Sequence, residues 1–485
     1  MTEDQYKKLC SICDSILLDD SSALERIAIP WLNVIREHPV FLKQYEDIFT
    51  KRSQINKISN YLYHFARNTA LSFRLFGRIV RSSGQPWHGK LNEGNFFDFV
   101  FVSHLLSVSD LTNNEDFYFG SVPLDLVEQG KNVLVVLINY TSVMNSELDL
   151  LLENSKIPKV IISNGLSLKD EFDIWRAVRR QASSLKQEAK VEKDKLRQTI
   201  LMRARVEATA ANTKTSLRIA KVLKKIVARS NVKALVVTHE GHAWERVSFA
   251  SVRDVNPDIT CIAYQHAALF RLQHASRRSL GPRYDPDLIL TAGPVGLKQI
   301  HSSSSMHAIP ARVLGSPRSI SLVHRNKEGV CLVLPEGSVD ECRILFEFAL
   351  GCAKDQPELV FIFRIHPILN YHKLVKQIPL LNSLPPNVRI SMETLENDLT
   401  YSAWALYRGS TAVITAAANG VTPIYLKQSN ELTVDPLYEV MDWHPSVESK
   451  SQFFEVLKYQ AEQANLIKYC RNFYTPMNSL SLADI

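Results

Sequence analysis

Residues 329–369 read GVCLVLPEGSVDECRILFEFALGCAKDQPELVFIFRIHPIL. The run Val330 to Leu334 is wholly apolar and stops at Pro335, as a short strand buried on both faces does. Residues 340–354 then carry apolar side chains at helical spacing, and a second apolar run, Leu359 to Phe363, follows. Strand, helix and strand of these lengths make a βα unit of a parallel sheet. The second strand runs into Arg364, Ile365, His366 and Pro367. Proline cannot extend a ladder, so a plain strand stop is one reading. The other is that α/β proteins place ligand contacts at the ends of parallel strands. On that reading Arg364, His366 and Pro367 are ligand-loop residues.

The same alternation extends in both directions. Downstream come NVRIS, a helical piece to about 406, ALYRGS, the small-residue helix TAVITAAANG and the strand TPIYL. Upstream come KNVLVVLINY (131–140), KVIISNG (159–165), KALVVTHEG, the helix AWERVSFASVRDV, ITCIAYQH and PDLILTAG. Residues 169–230 interrupt the series with a long polar stretch lacking glycine and proline. Ile219, Val222, Leu223, Ile226 and Val227 form an apolar stripe in it, so it reads as a helical insertion. The expected class is α/β and GT-B-like: two Rossmann-like domains facing a cleft, with extra N-terminal helices. Boundaries fall at 1–85 for the helical region, 86–320 for the first domain and 321–450 for the second. A single helix within 451–485 is expected to pack back. Residues 61–84 read as a basic amphipathic helix, either packed or on an anionic membrane surface, and together with the basic stretch 176–229 they suggest peripheral contact with anionic lipid.

The chain has 485 residues, 45% hydrophobic and 22% charged, which is globular composition. No apolar run approaches the roughly 20 residues that span a bilayer. The opening MTEDQYKKLC lacks the basic start and apolar core of a signal peptide, so the expected location is cytoplasmic. A net charge of +7 suits an anionic partner and is too mild for nucleic acid. The seven cysteines sit mostly in apolar segments, and Cys10 and Cys13 make a lone CxxC that reads as two thiols on one helix.

Polar clusters follow the strands. In THEGHAWE, Glu240 stands in a glycine turn that opens a helix, the place for a catalytic base or for a helix-start residue. Ala243 replaces the second histidine of a zinc-protease HExxH. His266 ends the next strand, facing the same gap or satisfied in its loop. Ser338, with Glu341 three residues on, fits a capping box; with Gly337 it also fits an anion site. Gly409, Ser410 and Thr411 open the small-residue helix and form the strongest phosphate-binding pattern. Arg318 is within a Gly-Ser turn and is a further phosphate candidate.

The order of these pieces resembles bacterial GT-B glycosyltransferases that use CMP-activated acidic sugars, the sialyltransferase and Kdo-transferase groups. Glu240-Gly241 matches their acidic-Gly motif, His366-Pro367 their His-Pro motif and Ser410-Thr411 their Ser/Thr pair. His239 replaces the first acid of the usual acidic pair. The series HEGHAWE, YQH, TAGP and LGSPR is also similar to surface-carbohydrate biosynthesis proteins. The resemblance covers about 235 to 426 and implies a metal-independent transferase of capsule, lipopolysaccharide or O-antigen biosynthesis. It implies a nucleotide-sugar donor held by the second domain and a glycan or lipid-linked glycan acceptor on the first. No cofactor is implied. The rival readings are a UDP-GlcNAc 2-epimerase, a CDP-polyol phosphotransferase and a non-catalytic partner in polysaccharide assembly.

Overall fold

The computed structural model describes residues 1–19, 23–49, 85–141, 155–163, 165–303, 305–323, 329–458 and 463–485, together with positions 66, 69, 70, 73, 77 and 152. The helix expected over 61–84 lies largely outside the described residues. The first sheet is built from β1 (Trp87–His88), β2 (Phe96–Leu105), β3 (Val133–Asn139), β4 (Lys159–Ile162), β5 (Asn231–Thr238), β6 (Thr260–Gln265), β7 (Leu288–Thr291) and β8 (Ala311–Val313). Its order is β1-β4-β3-β2-β5-β6-β7-β8, parallel except for β1 against β4. The second sheet is built from β9 (Val330–Leu334), β10 (Val360–Phe363), β11 (Val388–Ile390), β12 (Ser402–Tyr407), β13 (Thr422–Leu426) and β14 (Ser446–Val447). Its order is β11-β10-β9-β12-β13-β14, parallel throughout. These are two Rossmann-like domains in the GT-B layout.

In each sheet the strand order reverses once, between β2 and β5 and between β9 and β12. A crevice opens beyond the carboxyl ends of strands at such a switch point. The loops after β5, β9 and β12 are those that carry Glu240, Ser338 and Ser410.

The centre strand of the first sheet, β2, is missing from the sequence reading, which starts the sheet at 131. Asp98 and His104 interrupt its apolar run. Asp98 sits at the strand's entry, where its carboxylate accepts the Asn132 N–H at 2.9 Å. The insertion at 169–230 is three helices. They are α2 (Leu168–Val191), α3 (Lys195–Ala208) and α4 (Ala211–Arg229), after α1 at the N-terminus (Glu3–Leu17). A cap rather than a glycine starts α3: Asp194 accepts the Arg197 N–H at 2.8 Å. The apolar stripe of α4 is buried, in one core with Ile174 and Leu185 of α2 and Leu9 and Cys13 of α1. The N-terminal helices therefore belong to the first domain's body.

Burial pushes the Cys10 thiol up to about 12 and Cys13 up as well, so the pair is inert core. Among the described residues no group of three or more His, Cys, Asp or Glu is placed to hold a metal ion. None of their helices is long and apolar enough to cross a membrane.

The single C-terminal helix is a correction. Among the described residues there are two, Lys450–Leu457 and Ala464–Arg471. The chain beyond them crosses to the first domain, where Asn478 N–H donates to Leu314 at 2.8 Å and Leu482 enters the core.

Candidate functional site

The wall supplied by the first domain begins at the end of β5. The next helix, α5 (Ala243–Arg253), carries Glu245 in its first turn. Its carboxylate is fully buried and accepts the backbone N–H groups of Glu240, Gly241 and His242 at 3.0, 2.9 and 3.0 Å. Three amides on one carboxylate fix the loop's shape. Gly241 is required there: its φ is +87°, and a Cβ would sit 2.5 Å from the Ser276 nitrogen.

This loop presents Glu240 between two imidazoles. His242 Nε2 is 3.2 Å from Oε2 and His266 Nε2 is 3.2 Å from Oε1. Burial pushes the Glu240 carboxyl up, but the hydrogen bonds from His242 and His266 outweigh it and hold it well below the carboxylate range. Burial works the other way on His242, and the Glu240 and Glu245 charges raise it to about 9. At neutral pH the pair is carboxylate and imidazolium. His266 is braced from behind by Tyr118, ring to ring at 4.6 Å.

The opposite wall comes from three strand-end loops of the second domain. Ser338 caps α6 (Val339–Asp355), accepting the Glu341 N–H at 3.2 Å. The expected capping box is not completed, because the Glu341 carboxylate turns to Arg408, 2.9 Å from its Nε. Arg408 is buried and pairs with Glu431 as well, so its charge stays inside the domain. Arg364 lines the cleft, yet its guanidinium is engaged by Asp398, so it is a tethered cation.

The two glycines of these loops make room for neighbouring side chains. A Cβ on Gly337 would meet Ile368 at 2.7 Å and His366 at 3.0 Å; one on Gly409 would meet the Glu336 carboxylate at 2.7 Å. Close approach at Gly409 is thus made by Glu336.

Ser410 and Thr411 precede α7 (Ala412–Ala418), and their carbonyls accept the Val413 and Ile414 N–H groups at 3.3 and 3.1 Å, which leaves their own amides and hydroxyls toward the cleft they line. His366 Nδ1 accepts the Ile368 N–H at 3.3 Å. That leaves the proton on Nε2, free to donate. Burial lowers the His366 pKa, with the Glu336 charge opposing, so the ring is a neutral donor.

A third contributor is the segment after Trp31. Arg36 lies between the rings of Phe41 and Phe270, at 5.0 and 4.8 Å, and reaches Glu336 at 3.3 Å. His38 Nε2 is 2.6 Å from the same carboxylate. Burial raises Glu336, and His38 with Arg36 brings it below its ordinary value. Sequence reading missed all three. Arg36 and Glu336 are 300 positions apart, and no local motif marks either.

These walls enclose a cleft of about 620 Å³. Of the residues proposed from sequence, Glu240, Gly337, Ser338, Arg364, His366, Pro367, Gly409, Ser410 and Thr411 line it. His266 stands behind Glu240. Arg318 is exposed and stacks on Phe117 at 5.6 Å.

No family model and no curated protein matches the chain. Among solved structures, MurG of Acinetobacter baumannii is similar at TM-score 0.44 and 13% identity, over 80% of this chain and 98% of that one. The glycosyltransferase SnogD of Streptomyces nogalater is similar at TM-score 0.41 and 14% identity, over 80% and 98%. A UDP-GlcNAc 2-epimerase of Methanocaldococcus jannaschii, solved with UDP-GlcNAc and UDP, is similar at TM-score 0.41 and 14% identity, over 80% and 97%. Likenesses this slight assign no activity.

Proposed function

We propose that the cleft binds a nucleotide-activated sugar and transfers its glycosyl group to a hydroxyl of a glycan acceptor. The observation that carries this reading is the pairing of walls. An ionised, imidazole-held Glu240 stands at one switch point, and the Gly337 and Ser410-Thr411 loops stand at the other, with the His366 loop beside them. In the inverting form of the reaction the acceptor O–H gives its proton to Glu240 while its oxygen attacks the anomeric carbon. The bond from that carbon to the phosphate oxygen breaks, and the nucleotide leaves with the electron pair. The His366 Nε2–H and the amides and hydroxyls at Ser410 and Thr411 donate to the departing phosphate. The imidazoles keep Glu240 in its base form at some loss of basicity.

Within this class, the order Glu240-Gly241, His366-Pro367 and Ser410-Thr411 favours a CMP-activated acidic sugar of the Kdo or sialic-acid type. The acceptor is then a bacterial surface glycan, free or lipid-linked. A second reading, an epimerase of a UDP-sugar, draws on Glu336, a second carboxylate in the same cleft. Thermal shift separates them, since a ligand that binds only the folded protein raises the melting temperature. CMP stabilising the protein, with UDP and CDP inert, is expected. Stabilisation by UDP alone turns the reading to a UDP-sugar enzyme, and by CDP alone to a polyol phosphotransferase. No response to any nucleotide removes the enzymatic reading.

His366→Ala should weaken the nucleotide shift at least severalfold in apparent affinity and leave the unliganded melting temperature nearly unchanged, because the ring is exposed to the cleft. Normal nucleotide affinity with a large loss of stability would make His366 a strand-stop residue.

A further inference from the structure

Helix α2 faces solvent with an unusual surface. Leu168, Phe172 and Trp175 are 71, 57 and 40% exposed. They lie at i, i+4 and i+7, one above the other on the first two turns. Phe172 and Trp175 stack at 5.5 Å, and the Arg179 guanidinium lies 4.3 Å from the Trp175 ring. The same face carries Lys169, Arg176, Arg179, Arg180, Lys186 and Lys190, all exposed. Among the described residues none of these six cations is in an ion pair. The acids of α2 are taken: Asp173, 42% exposed among these cations, reaches Lys221 at 3.9 Å. Asp170 holds Lys221 and Lys225, Glu171 holds Arg218, and Glu188 holds Arg26. Burial of Ile174, Val178 and Leu185 fixes which face is outermost.

We infer that this face of α2 docks on an anionic lipid bilayer. The helix would lie in the interface plane, with Leu168, Phe172 and Trp175 among the acyl chains and the cations on lipid phosphates. Charge complementarity selects this occupant. Six unpaired cations spread along roughly 33 Å of helix (about 1.5 Å per residue) match an extended negative surface. Aromatic side chains beside guanidinium groups are what interfacial helices use. An acidic protein partner would meet the same cations, but three large apolar side chains at one end call for a medium that accepts them without a shaped pocket. This proposal is independent of the donor and of the chemistry in the cleft.

The test is sedimentation of the whole protein with phosphatidylcholine vesicles, with and without phosphatidylglycerol. Binding is expected only with phosphatidylglycerol and should fall as salt rises, because exposed charges are screened. Replacing Arg176, Arg179 and Arg180 together with Gln should lower partitioning on the order of 10²-fold. Phe172→Ala with Trp175→Ala should lower it on the order of tenfold or more, from lost apolar burial. All five side chains are exposed, so the variants should keep the wild-type melting temperature. Equal binding to neutral vesicles, no binding to either, or variants that bind like wild type would each overturn the proposal. So would a dimer that the Trp175 variant breaks while vesicles are ignored, which would assign the face to a second copy.

Discussion

Glu240→Gln lowers turnover by roughly 10²–10⁴-fold, the range for removing a general base, while nucleotide affinity barely moves. The amide keeps the shape of the side chain. The donor contacts lie on the other wall, so the loss falls on chemistry alone. The same substitution reports on His242. Its elevation to about 9, against burial, comes from the Glu240 carboxylate and the Glu245 charge together. Without the Glu240 charge, and with Glu245 still in place, it should fall toward its ordinary 6.5, read from the imidazole carbon shifts against pH.

The signs fix the pH window. A raised His242 contributes stability that is complete below 6.5 and lost as pH rises through about 9. A depressed Glu240 contributes stability that is complete above 4.5 and lost as pH falls. The loop is therefore firmest between those two ordinary values, and the variant should flatten the profile. Turnover within a few-fold of wild type would take Glu240 out of the mechanism and pass the role to His266, since His239 is fully buried against Ser276 and Glu245.

Glu245→Ala costs roughly 3–5 kcal/mol of stability, as removing one partner of a buried charged network does. It strands the N–H groups of Glu240, Gly241 and His242 and removes the carboxylate that lies 3.4 Å from His239 Nδ1. Urea denaturation reads the loss. Turnover should fall with it, because three amides of the turn that carries Glu240 are held by this one carboxylate. Glu245→Gln, which can still accept from part of the set, should fold and retain some turnover. An alanine variant as stable as wild type would show that the loop is held by other contacts.

What the sequence revealed and what it hid divide along physical lines. The βα unit at 329–369 was legible because β9 and β10 are buried on both faces and therefore purely apolar. The strand-end loops were legible for the same reason, since each polar cluster interrupts an apolar pattern at a fixed place. The strand β2 was hidden by Asp98 and His104, polar residues inside an otherwise apolar run. His242 went unread because no motif pairs it with Glu240, two residues back, which is its partner in the fold. Arg364 read as a free charge because Asp398, its partner, lies beyond an intervening strand. Gly409 read as a ligand approach, while the group it admits, Glu336, belongs to another loop. Arg36 and His38 could not be found at all. Their partner Glu336 comes from the other domain, and only the closed arrangement of both domains brings them together.

The central claim is that one cleft holds the donor on the second-domain wall and aims its anomeric carbon at Glu240. A crystal structure with a bound nucleotide sugar, CMP- or UDP-linked, tests it most directly. The account predicts phosphate oxygens within hydrogen-bond distance of Ser410, Thr411 and His366 Nε2, with the sugar facing Glu240 across the cleft. A phosphate seated on the first domain, or a sugar turned away from Glu240, would contradict it.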